Sequence, residues 1–128
     1  MLDYDLTWRD DARRFEVVTL PYHDFEGMNA SLELLHEVGP DVVVARVREL
    51  ADRIVRWAES RSDVRLVTPS DPKRRAGVIS IVPPDAVNVS SRLTKERVTH
   101  SLREGAIRLS PHFYQTVAEI DAALLVMA

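Results

Sequence analysis

Cysteine is absent from all 128 residues, which excludes disulfide frameworks, thiolate metal sites and cysteine nucleophiles together. Glycine occurs only four times. None of the four belongs to a Gly-x-Gly-x-x-Gly or Gly-x-x-x-x-Gly-Lys loop, so the chain carries no phosphate cradle of its own. The only lysines, Lys73 and Lys95, stand in polar segments, unlike the desolvated amine of a covalent catalyst. His23, His36, His100 and His112 are scattered; no pair brackets a glutamate at helical spacing, and no metal site is expected. Apolar runs stop well short of the roughly eighteen residues that a membrane span needs. Met1-Leu2-Asp3-Tyr4-Asp5 has neither the basic nor the apolar region of an export leader. These absences predict a cytoplasmic protein with no membrane partner. Seventeen basic against twenty acidic side chains, net −3, are too balanced for a nucleic-acid partner.

What is present is 45% hydrophobic residues, enough for one core at this length. Residues 1–24 are polar and irregular, and read as an extended arm. The domain proper is then 25–128. From Phe25, apolar residues recur at helical spacing through Met28, Leu32 and Leu35 to Val38, and stop at Gly39-Pro40. Pro40 suits the first turn of a second helix, in which Val43, Val47, Leu50, Ile54 and Ala58 form a stripe. On its polar face Glu49 precedes Arg53, and Asp52 precedes Arg56, by four residues, the spacing of intrahelical ion pairs.

After Ser60 the pattern turns strand-like. Val64–Val67 and Gly77–Val82 flank the polar loop Ser70-Asp71-Pro72-Lys73-Arg74-Arg75, which reads as a solvated turn, with anion binding the alternative. A short helix is expected around Ser91–Glu96. Val98–Leu102 and Ala106–Ser110 alternate across Arg103-Glu104-Gly105 as a hairpin, and Thr116 with Glu119 forms a capping-box signature for a last helix. Helices, then an antiparallel sheet of about four strands, then a helix predict an α+β sandwich of two layers.

The segment richest in chemistry is Arg108-Leu109-Ser110-Pro111-His112-Phe113-Tyr114-Gln115-Thr116. In an alternating strand Ile107 and Leu109 share one face, which leaves Arg108 on the other with Ala106 and Ser110. There a guanidinium is either an ordinary surface group or a carboxylate clamp, since its planar fork matches both carboxylate oxygens.

Arg14-Phe15-Glu16 with Thr19, two helices split at Gly39, and Arg103 through Tyr114 resemble, in that order, the C-terminal portion of class V aminotransferases across nearly the whole chain. That group is dependent on pyridoxal phosphate (PLP) and includes cysteine desulfurase-like, kynureninase-like and isopenicillin N epimerase-like enzymes; the wording here is similar to the last. The resemblance places Arg108 on the arginine that holds the substrate's α-carboxylate. It places Thr19 on the threonine that reaches the phosphate of the partner subunit's cofactor. Val18 stands where glycine is common, and Gln115 where asparagine is usual. His112, Phe113 and Tyr114 read as structural. The Schiff-base lysine and the aspartate facing the pyridinium nitrogen belong to the large domain, and neither lysine here matches that motif. The resemblance therefore implies the small domain of a PLP-dependent enzyme acting on an amino acid, inactive alone. It would be paired with a large domain or partner subunit in a homo-oligomer, whether as an excised piece, a truncated reading frame or one piece of a split enzyme. The alternative is a non-catalytic dimerisation or protein-interaction module derived from that fold.

Overall fold

The computed structural model describes residues 7–16 and 19–128. The chain divides into two compact units, Met1–Leu34 and Leu35–Ala128. In the first, a 3-10 turn at Ala12–Phe15 is capped by Asp11, whose carboxylate accepts from the Arg13 amide at 3.0 Å. Helix α1 spans Tyr22–Val38. It starts a turn earlier than the apolar spacing predicts, because the Pro21 carbonyl already accepts from the Phe25 amide at 3.1 Å. Phe25, Met28 and Leu32 line its apolar side and all stay exposed. Gly39, at φ +94, ends the helix in a conformation that a side chain would resist.

Helix α2, Pro40–Glu59, begins on its proline as expected and buries Leu50, Ala51, Ile54, Val55 and Ala58. Its charged face departs from the sequence reading. Arg53 forks onto Asp121 instead of Glu49, with one arm at 2.6 Å, and Asp52 is taken by Arg75. An intrahelical pair is worth only about 0.2–0.5 kcal/mol, so a partner offering paired charge-assisted bonds from another element prevails. In the predicted basic loop Lys73 and Arg74 stay exposed, whereas Arg75 is taken up by the fold. Pro72–Arg74 is a 3-10 turn capped by Asp71, and the Arg75 guanidinium is buried between Asp52 and the Ser70 carbonyl.

Strands β1 (Arg65–Leu66), β2 (Ile79–Val82), β3 (Ser101–Arg103) and β4 (Ala106–Leu109) form one antiparallel sheet in the order β1-β2-β4-β3. Glu104 and Gly105, at φ +50 and +77, close the β3–β4 hairpin with the left-handed pair of a type I′ turn. Helices α3 (Ala86–Lys95) and α4 (Val117–Met127) join α2 over one face of the sheet. Ile79, Ile81, Ile107 and Leu109 meet Leu50, Ile54, Leu93, Ile120 and Leu124 there in a single core. Three helices over one face of a four-stranded sheet make the predicted α+β sandwich. No helix among the described residues is long and apolar enough to cross a membrane.

Helix α3 ends in a Schellman motif: the Val98 amide donates to Leu93 O at 2.8 Å and the Arg97 amide to Thr94 O at 3.0 Å. The left-handed position, normally glycine, is Arg97 at φ +58. A non-glycine residue there costs roughly 1–2 kcal/mol, so Arg97→Gly should stabilise the chain by about 1 kcal/mol. Urea titration checks this: the midpoint rises with an unchanged slope.

Candidate functional site

Alternation along the strands fixes what the uncovered face of the sheet presents. With Ile79, Ile81, Ile107 and Leu109 buried, the intervening Ser80, Val82, Ala106 and Arg108 must point the other way. No element of Leu35–Ala128 covers them. Register places Arg108 opposite Ser80 on one side and Ser101 on the other, so the arginine is flanked by two serines on an inner strand of the sheet. One step along the strands, Arg65 pairs with Val82 and Arg103 pairs with Ala106; continuing the register sets Val82 beside Ala106. The result is a small-residue floor with arginines at both ends. A hollow of about 270 Å³ lies over it, lined by Arg65, Ser80, Val82, Arg103, Ala106 and Arg108, with Glu104 the one carboxylate on its wall among the described residues.

Electrostatically the hollow is cationic, with three arginines against one glutamate among its lining residues. Arg53, Arg61 and Arg75 are satisfied by Asp121, Asp63 and Asp52. Among the described residues, Arg65, Arg103 and Arg108 take part in no side-chain hydrogen bond or ion pair. Arg108 is half-buried while Arg65 and Arg103 are exposed. A partly desolvated, unpaired guanidinium is costly unless something anionic completes it.

The segment after β4 fixes that strand's end. His112, Phe113 and Tyr114 form a mutual ring cluster with centroids 5.0–5.5 Å apart. The longer amide of Gln115 folds back, its Oε1 accepting from the His112 amide at 2.9 Å, while Arg46 of α2 donates to the Gln115 carbonyl at 2.9 Å. Thr116 and Glu119 make the predicted capping box, at 2.6 Å from the Thr116 amide to Glu119 and 3.2 Å from the Glu119 amide to Thr116 Oγ1. Those bonds from the Thr116 amide and hydroxyl hold the Glu119 carboxyl below its ordinary pKa.

Thr19 lies in the other unit. It is exposed, and its hydroxyl makes no hydrogen bond among the described residues; its neighbour Val18 lies outside them. Lys73 and Lys95 are both exposed, so neither is a desolvated amine suited to forming an imine. His100 is engaged by Ser90 at 2.7 Å and by the Val98 carbonyl at 2.9 Å. No three metal-binding side chains converge among the described residues. Sequence reasoning missed Arg65 and Arg103. The signal was there for Arg103, since the alternation that exposes Arg108 also puts Ser101 and Arg103 on that face. Arg65 required the register of β1.

Residues 43–127 match the family model of the kynureninase C-terminal domain. The chain is 27% identical over 121 residues to the uncharacterized aminotransferase YcbU of Bacillus subtilis, covering 94% of this chain and 32% of that protein. It is 32% identical over 99 residues to isopenicillin N epimerase of Streptomyces clavuligerus, covering 71% of this chain and 25% of that protein. The apo structure of cysteine desulfurase from Thermococcus onnurineus NA1 superposes with a TM-score of 0.81 at 21% identity, over 98% of this chain and 36% of that one. That likeness is one of fold. The chain spans a third or less of the length of these curated relatives.

Proposed function

The chain belongs to the kynureninase C-terminal domain family, and from that premise we propose that it is the small domain of a PLP-dependent, aminotransferase-like enzyme in which Arg108 binds the α-carboxylate of an amino-acid substrate. The observation that supports this reading is Arg108, unpaired among the described residues and flanked in register by Ser80 and Ser101, on the sheet face that no element of Leu35–Ala128 covers. Its fork can hold both carboxylate oxygens in one plane. Fixing that end of the substrate limits rotation about the bond to the α-carbon and so orients the α-substituents for reaction.

The residues present do not hold PLP by themselves. Both lysines are exposed, and the chain has no glycine-rich phosphate loop. PLP supplies an electron sink when bound, and its anchoring falls to a large domain or partner subunit. Thr19, with a free exposed hydroxyl, would donate to the cofactor phosphate of a partner subunit, in a homo-oligomer in the cytoplasm. The chain alone is then a positioning domain without turnover.

The test is reconstitution. Mixed with the large domain of a class V aminotransferase and PLP, the chain should restore amino-acid turnover that neither piece shows alone. Self-association with no restored turnover would instead favour the non-catalytic interaction module. Borohydride trapping of PLP on a single lysine of the isolated chain would contradict the division of labour.

A further inference from the structure

Arg108 is not the only unsatisfied cation on the open face, and one carboxylate does not account for the others. Arg103 is its diagonal neighbour across the β3–β4 pair, because Ser101 stands opposite Arg108 and Arg103 lies two residues further along β3. Diagonal positions in an antiparallel pair are roughly 7–8 Å apart, within reach of long side chains on the same face. Val82 and Ala106 keep the floor between the arginines low, and Arg65 closes its far end. Three guanidiniums sharing one hollow repel one another, and Glu104 is the only carboxylate lining it among the described residues. Two anionic groups at this spacing would neutralise what one leaves over.

We propose that Arg103, backed by Arg65, makes the Arg108 site a receptor for two anionic groups, so that the amino acid it takes carries a second carboxylate at the end of its side chain. This rests on the reading of Arg108 as the α-carboxylate clamp. A straight diacid of about five or six carbons matches a diagonal pair of arginines, each of which approaches its carboxylate with two N–H donors. A neutral side chain of equal length would leave Arg103 unpaired.

Both arginines belong to this chain, so the test needs no cofactor. Binding of glutarate and of butyrate to the purified chain is followed by amide chemical shifts at low ionic strength, with L-2-aminoadipate and L-norleucine as the amino-acid pair. A charge-assisted bond of about 1.5–3 kcal/mol corresponds to tenfold or more, so the diacid should bind at least about tenfold tighter than the monoacid. Arg103→Ala should bring the ratio to within about twofold, weakening the diacid far more than the monoacid, and Arg103→Lys should restore part of it. Arg108→Ala should weaken both. Equal affinity for diacid and monoacid, with Arg108→Ala still weakening both, overturns the second anion and leaves the clamp standing. Affinities indifferent to Arg108→Ala, or no saturable binding of any of the four acids, overturn both.

Discussion

Arg108→Ala, introduced into the chain and assayed in the reconstituted enzyme, should lower kcat/KM for the amino-acid substrate by about 100- to 1000-fold, or roughly 3–4 kcal/mol. The magnitude follows from the geometry. A planar fork between two strands contributes paired, charge-assisted bonds to a carboxylate, and no other described cation shares its row of the sheet. Arg108→Lys keeps the charge but replaces the fork with a point donor, so about a tenfold loss should remain. If the carboxylate is held equally in ground and transition states, the loss appears in KM; a matching loss in kcat would mean that its grip also aligns the reacting bonds. Folding should hardly respond, because Arg108 has no hydrogen-bond or ion-pair partner to orphan among the described residues. A loss of less than about threefold, in a variant whose melting temperature is unchanged, would remove Arg108 from the site.

That arginine was legible because strand alternation is a local rule. Once Ile107 and Leu109 are assigned to the core, Arg108 must face away from it, and the hairpin turn at Glu104-Gly105 fixes where the alternation starts. The capping box at Thr116 and the helix break at Gly39-Pro40 are legible for the same reason: each is written within about four residues. Pairings set by the fold are not. Arg53 reads as the partner of Glu49 until α4 brings Asp121 beside it, and Arg75 reads as a solvated loop cation until Asp52 and the Ser70 carbonyl enclose it. Arg65 was invisible as a site residue because only the β1–β2 register, set by contacts about sixteen residues apart in sequence, places it opposite Val82.

The same limit hides a close approach at one glycine of the domain. Gly77 has no unusual φ, and in the sequence it only marks the start of a strand. In the fold, a Cβ added there would sit 2.4 Å from Cγ1 of Val47 on α2 and 3.6 Å from the Pro111 carbonyl. Val47 is β-branched and stiff at χ1, so it cannot swing clear, and α2 and β2 would have to part. Overpacking of this kind costs about 1–3 kcal/mol, and Gly77→Ala should lower the melting temperature by roughly 5–15 °C. Val47→Ala alone should cost about 1 kcal/mol by removing methyl contacts. Together the two changes should cost less than their sum, because the truncated valine makes room for the new methyl. Strict additivity would mean that the two positions do not touch. The consequence reaches the site: Gly77 leads into the strand that carries Ser80, and Pro111 follows the strand that carries Arg108. A wedge at this point should therefore weaken carboxylate binding as well as stability, and the double variant should recover both in step.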